Sequence, residues 1–256
     1  MSTLEIDLVP LLTDNYAYLL HCPETGATAV VDPSEAAPVL AAAEARGWPI
    51  THILNTHHHP DHTGGNLEIK QATGCTIVGP KPDEGRIPGI DVALDEGDRF
   101  RLGNAEAQIL FIPGHTRGHI AFWFPESRAL FCGDTLFALG CGRLFEGTPA
   151  QMWSSLDKLR RLPGGTRVYC GHEYTQANAR FARTVDPDNA ALADRAKRID
   201  TLRAEGRPTI PSTLAEECAT NPFLRADDPA LAAALGLAGE DPVTVFAEVR
   251  RRKDNF

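Results

Sequence analysis

Seven consecutive residues, Thr56-His57-His58-His59-Pro60-Asp61-His62, hold four of the chain's nine histidines and one aspartate. Imidazole nitrogen and carboxylate oxygen are the donors that first-row metals bind, and no fold needs them this dense for packing. In an extended segment side chains alternate, which sets His57 and His59 on one side and His58 on the other. Pro60 then forces a turn, after which Asp61 and His62 can project toward a second, neighbouring position. One loop can therefore serve two ions.

Five candidate ligands do not complete two coordination shells, and three later segments offer more. Phe111-Ile112-Pro113-Gly114-His115-Thr116-Arg117-Gly118-His119 presents His115 just after an apolar, strand-like run, with glycines that permit close backbone approach. Leu130-Phe131-Cys132-Gly133-Asp134-Thr135 places a carboxylate at the end of another such run, and Arg167-Val168-Tyr169-Cys170-Gly171-His172-Glu173 repeats the arrangement with a histidine.

The elements that must position these residues are mostly short strands. Residues 16–21, 27–31, 51–54, 75–78, 108–112, 120–124, 129–132 and 167–170 read as strands. Residues 35–46 read as a helix closed by Gly47, and 150–162 as another closed by Pro163-Gly164-Gly165. After Tyr174 the strand-like runs stop. Residues 177–184, 189–206, 213–218 and 241–252 carry Ala, Leu, Arg and Glu in helical proportions, with Asp-Pro marking turns. The expected class is α+β, with packed sheets covered by helices and a small helical C-terminal part.

A chain of 256 residues buries a full core. Its net charge of −9 argues against nucleic acid or an anionic membrane as the main partner. The six cysteines include no C-x-x-C pair and read as reduced, several of them as small hydrophobes in apolar runs. There is no basic start followed by an apolar core, and no apolar run reaches about 18 residues. The expectation is a soluble monomer in a reducing compartment, most simply the cytoplasm.

The T-H-x-H-x-D-H run from Thr56 to His62 resembles the metallo-β-lactamase fold hydrolases. Within them the chain is similar, nearly end to end, to the hydroxyacylglutathione hydrolase (glyoxalase II) family. Supporting segments are Thr13-Asp14-Asn15-Tyr16-Ala17-Tyr18, Pro113 to His119, Gly133-Asp134-Thr135-Leu136-Phe137, Cys141-Gly142-Arg143, Tyr169 to Tyr174 and Asp241-Pro242-Val243-Thr244. The first motif is shared across the superfamily; the Gly-His-Glu-Tyr segment and the tail are more specific.

The resemblance implies an αββα sandwich over residues 1–173 and a helical substrate-binding domain over 174–256. His57, His59 and His115 would hold one divalent ion, and Asp61, His62 and His172 the other, with Asp134 bridging. Zinc is the default for these donors, and iron or manganese fits them too. Asp61 would also orient the attacking water, and His119 would steady the site from behind its ligands. Arg143, Tyr174, Arg250 and Lys253 would bind the glutathione moiety. Helical spacing sets Arg250 and Lys253 on one face of the tail, whose basic run would otherwise be a solvated helix end. Phe145 departs from the family, which commonly has tyrosine there, so one hydroxyl contact is missing.

The implied reaction is metal-assisted hydrolysis of S-(2-hydroxyacyl)glutathione, chiefly S-D-lactoylglutathione, to D-lactate and glutathione, a step in methylglyoxal detoxification. No G-x-S-x-G elbow supplies a serine nucleophile instead. The rival readings are a one-iron glutathione persulfide dioxygenase, another hydrolase of the same fold, and a noncatalytic metal module. Asp61, His62 and His172 together favour two ions over one.

Overall fold

The structure, a computed structural model, describes residues 3–256. The chain divides into two compact units, the first running to Phe111 and including Arg117–Gly133, the second made of Ile112–Thr116 and Asp134–Phe256.

The first unit contains β1 (Glu5–Leu11), β2 (Asn15–His21), β3 (Thr28–Val31), α1 (Ala36–Arg46), β4 (Ile50–Leu54), α2 (Pro60–Thr63), α3 (Asn66–Thr73), β5 (Thr76–Pro80), β6 (Val92–Leu94), β7 (Arg99–Leu102), β8 (Ala105–Phe111), β9 (Ile120–Phe124) and β10 (Ala129–Gly133). Strands β1 to β6 form one sheet in chain order, antiparallel as far as β3 and parallel from β3 to β6. Strands β7 to β10 form an antiparallel meander.

β2 is buried on both faces, which explains why Tyr16-Ala17-Tyr18-Leu19-Leu20 reads as a continuous apolar run. Ala17 and Leu19 join Val39 and Ala43 of α1 and Ile69 of α3 in one core cluster. On the other face Tyr18 meets Phe131 of the meander, ring centroids 5.6 Å apart. Helices thus cover the outer face of the first sheet, and the meander lies on its inner face.

Parallel strands place functional groups at their carboxyl ends, because the loops that follow all emerge on one edge. Asp32 follows β3, and Asn55 and the histidine loop follow β4. The two ends are tied together: Asp32 N donates to the Leu54 carbonyl at 3.1 Å, and Thr56 N to Asp32 Oδ1 at 2.8 Å.

The second unit contains the hairpin β11 (Leu136–Phe137) and β12 (Gly140–Cys141), α4 (Pro149–Arg160), β13 (Arg167–Cys170), α5 (Thr175–Val185), α6 (Ala190–Ala204), β14 (Ser212–Thr213), α7 (Leu214–Thr220), α8 (Pro229–Ala234) and α9 (Pro242–Asp254). The capping box of Thr148 and Gln151 starts α4, and Asp241 caps α9 through Val243 N and Thr244 N. One strand does follow Tyr174: Ser212–Thr213 pairs antiparallel with Arg167–Val168. At two residues it is too short to show a period.

Helices α6 and α7 clamp the β11–β12 hairpin through buried charge. The Arg195 guanidinium donates to the Glu217 carboxylate and, at 2.7 Å, to Thr220 Oγ1. Glu217 Oε2 also accepts Leu139 N at 2.9 Å, and Asn221 Nδ2 donates to the Phe137 and Gly140 carbonyls at 3.1 and 3.0 Å. Because Arg195 and Glu217 are both buried, Arg195→Met leaves a carboxylate charge without its cation. It is expected to cost about 3–5 kcal/mol of stability, measured by denaturant titration.

Candidate metal centre

Within the first unit the alternation expected for the histidine loop is realised. His57 Nε2 and His59 Nδ1 face each other at 3.1 Å, while His58 turns away to place Nδ1 2.7 Å from Asp83 Oδ2. Pro60 begins the single turn of α2 at its first position, where a missing N–H costs nothing. That turn carries Asp61 and His62, with His62 Nε2 3.6 Å from Asp61 Oδ2.

Hydrogen bonds decide which nitrogen of each ring carries a lone pair. Thr56 Oγ1 donates to Asp32 Oδ2 at 2.6 Å, so it accepts from His57 Nδ1–H, 3.0 Å away. His62 Nδ1 lies 3.1 Å from the same Asp32 oxygen. Both rings therefore keep Nε2 as the lone-pair nitrogen, and one buried carboxylate orients two histidines. His119, also buried, stacks on His57 with centroids 4.6 Å and planes 15° apart, and its Nδ1 donates to the Ile120 carbonyl at 3.1 Å. Gly133 closes this arrangement. At φ 46° a Cβ there would be strained, and it would lie 2.2 Å from Thr56 Oγ1.

Asp32 was not singled out from the sequence, although Val30-Val31-Asp32 has the form that drew attention to Asp134, an apolar strand ending in a carboxylate. Asp32, His57 and His62 form one group with donor atoms close enough for a divalent ion. The bonds above make Asp32 the holder of the two rings.

In the second unit His115 follows the strand-like run Phe111–Ile112, Asp134 begins the segment after β10, and His172 follows β13. Asp134 Oδ2 lies 3.4 Å from His115 Nε2 and 3.3 Å from His172 Nε2. His115 Nδ1 donates to the Arg143 carbonyl at 2.8 Å, which leaves Nε2 as its lone-pair nitrogen. Arg143 thus acts on this ring through its backbone, and its side chain is exposed. Gly142 makes the closure of the segment sterically feasible, since a Cβ there would lie 2.0 Å from the Asp134 carbonyl.

The donor chemistry and spacing fit a metal. Two ligands on one tetrahedral ion, each at 2.0–2.1 Å, stand about 3.3–3.4 Å apart. The His57–His59 contact and both Asp134–histidine contacts are close to that edge length.

Aromatic rings surround the second group. Tyr174 stacks on His172 at 4.6 Å and 4°, Phe137 meets the same ring edge-on at 5.9 Å, and Phe145 meets His115 at 5.2 Å. Phe145 is 63% exposed, so its ring offers solvent an apolar face.

The tail residues differ from a solvated helix end. Arg250 is buried, donating to the Cys141 carbonyl at 2.9 Å and pairing with Asp254 at 2.8 Å. Lys253 stands 5.3 Å from the centroids of both Phe181 and Phe256. Burial, then the charges of Arg250, Arg180 and Arg143, hold its ammonium below the usual lysine pKa. Among the charges that act on Lys253, only Asp254 opposes those three cations.

Cysteine chemistry is disfavoured. Burial pushes the Cys141 thiol up to about 11 and the Cys170 thiol up to about 12, so neither is a thiolate at neutral pH. None of the six cysteines is in a disulfide. Cys141→Ala is therefore expected to keep most activity, and rapid quenching with excess enzyme should trap no acyl-enzyme.

Residues 12–172 match the family model described as metallo-beta-lactamase superfamily, and residues 173–256 the one described as hydroxyacylglutathione hydrolase C-terminus. The hydroxyacylglutathione hydrolase of Methylococcus capsulatus is 64% identical over 253 residues, covering 99% of each chain. That of Rhodospirillum rubrum is 62% identical over 256 residues, covering 100% of each. The crystal structure of TTHA1623 in a di-iron-bound form superposes with a TM-score of 0.61 at 28% identity, over 86% of this chain and 100% of that one. With both family models matched in sequence along its length and relatives this close end to end, the chain belongs to the hydroxyacylglutathione hydrolase family and has the metallo-β-lactamase fold.

Proposed function

We propose that the chain hydrolyses S-(2-hydroxyacyl)glutathione, chiefly S-D-lactoylglutathione, to D-lactate and glutathione, as a cytoplasmic monomer with two divalent ions. His57, His59 and His115 would hold one ion, Asp61, His62 and His172 the other, and Asp134 would bridge them. The observation that carries the binuclear reading is Asp134 Oδ2, a single carboxylate oxygen at ligand-edge distance from two imidazole nitrogens. Zinc suits the donors, and iron or manganese would occupy the same set; a relative of the same fold is known in a di-iron form.

When bound, such ions lower the pKa of a coordinated water from about 15.7 to about 7, so no protein nucleophile is needed. Asp61 would accept a hydrogen bond from the attacking water and fix its direction. Tyr174, Arg143, Arg250 and Lys253, from the helical segment 174–256 and the loop before α4, would bind the glutathione moiety, whose two carboxylates match the excess of cations around Lys253. The one-iron oxygenase reading is not favoured, because it leaves Asp61, His62 and His172 unused.

The test is turnover of S-D-lactoylglutathione, followed as loss of the thioester and release of free thiol, before and after stripping with a chelator. Activity should vanish on stripping and return with added divalent ion. A metal-loaded protein that leaves the thioester intact would refute the proposal.

A further inference from the structure

Asp61 is held by residues that no motif of the histidine loop contains. Asn15, the first residue of β2, is 5% exposed. Its side-chain nitrogen donates to the Asp61 carbonyl at 3.0 Å and to Asp61 Oδ2 at 3.1 Å. A primary amide nitrogen carries two hydrogens, so both bonds form at once. Together they fix the carboxylate relative to its own backbone.

The turn that delivers Asn15 is anchored in its own right. Leu12, at φ 48°, donates its backbone N–H to Glu35 Oε2 at 2.7 Å. Beside Glu35, the Ser34 hydroxyl donates to the same Asp61 carbonyl. Gly65 N bonds the Pro33 carbonyl at 2.8 Å, and a Cβ on Gly64 would lie 2.5 Å from the Ser34 carbonyl, so α2 is pressed against this segment. The Asp61 backbone thus has two side-chain donors. Its carboxylate receives one of them, Asn15.

That difference matters because the Asp61 side chain is 40% exposed, whereas that of His62 is 1% exposed. Packing fixes the imidazole. A half-exposed carboxylate can rotate into solvent, and a hydrogen bond from a buried amide prevents it. A carboxylate accepts about four hydrogen bonds, and the Asn15 amide takes one of those positions. We propose that Asn15 is a positioning residue that aims the Asp61 carboxylate at the point faced by His62 Nε2. This rests on the reading of Asp61 as a metal ligand.

The experiment compares Asn15→Ala, Asn15→Asp, Ser34→Ala and Asp61→Ala with the parent holoenzyme. Four quantities are measured: metal retained during a timed chelator challenge, kcat and KM with S-D-lactoylglutathione, and the melting temperature of the stripped protein. Groups that orient a ligand from behind are typically worth 10–100-fold in metal affinity or activity. Asn15→Ala and Asn15→Asp should therefore release metal about 10–100-fold faster and lose kcat by a similar factor, with KM within about threefold of the parent.

Asn15→Asp keeps the shape and loses the donor, so retention of parental metal binding by that variant would overturn the inference. Ser34→Ala removes a donor to the backbone alone and should accelerate release about tenfold less than Asn15→Ala; equal acceleration would make the clamp merely structural. Stripped Asn15→Asp should melt within a few degrees of the stripped parent. If Asp61→Ala keeps its full metal complement, the reading of Asp61 falls and the inference with it. If Asp61→Ala loses metal while both Asn15 variants retain it, the inference alone fails.

Discussion

Asp134→Ala is expected to be the most damaging single substitution, losing both ions and lowering kcat/KM by roughly three powers of ten or more. The loss follows from removing metal-supplied stabilisation worth several kcal/mol at about 1.4 kcal/mol per tenfold. Asp134 is 6% exposed, and its Oδ2 is within 3.4 Å of both His115 and His172. Removing it leaves two imidazoles without the anionic oxygen that would join their ions. Elemental analysis and steady-state kinetics on the same preparation check this. Full retention of one ion by the variant would argue that Asp134 serves a single site.

The second large effect is expected at the basic tail. Charge-assisted hydrogen bonds to a carboxylate are worth roughly 1.5–3 kcal/mol each when well formed. The double variant Arg250→Ala/Lys253→Ala should therefore lose about one to three powers of ten in kcat/KM while its metal content stays at the parental level. Because Arg250 also bonds the Cys141 carbonyl, part of its cost should appear as lower stability, so Lys253→Ala reports recognition more directly.

For the parent, KM should rise with salt, and the double variant should respond less. It should also rise with pH sooner than for an ordinary lysine, because a lowered pKa means the Lys253 charge is lost earlier on alkalinisation. Lys253→Arg, whose charge does not titrate in this range, should flatten that rise. An unchanged kcat/KM in the double variant would return the tail to a structural role.

Much of the strand framework was legible because a strand buried on both faces leaves an unbroken apolar run, as in β2, β9 and β10. β1 escaped detection because Glu5-Ile6-Asp7-Leu8-Val9-Pro10-Leu11 mixes charge with a proline, which is tolerated where it pairs at the edge of the sheet. α3 escaped because only Asn66 and Ile69 of its eight residues are buried, too few to show a period. The loop ligand types were readable because their density has no packing explanation.

Their supports were not. Asn15, Ser34 and Asp83 are single polar residues far from the loop in sequence, and only the fold shows that they end on Asp61 or His58. Helical spacing picks out Arg250 with Lys253 in the basic run, but not its burial, which depends on the Cys141 carbonyl, 109 residues away in the chain.

The proposed binuclear centre is tested most directly by titrating stripped protein with divalent ion while following both bound metal and S-D-lactoylglutathione cleavage. Binding and activity should both plateau at two equivalents per chain, with Asp134→Ala reaching neither plateau. A firm plateau at one equivalent with full activity would contradict the account.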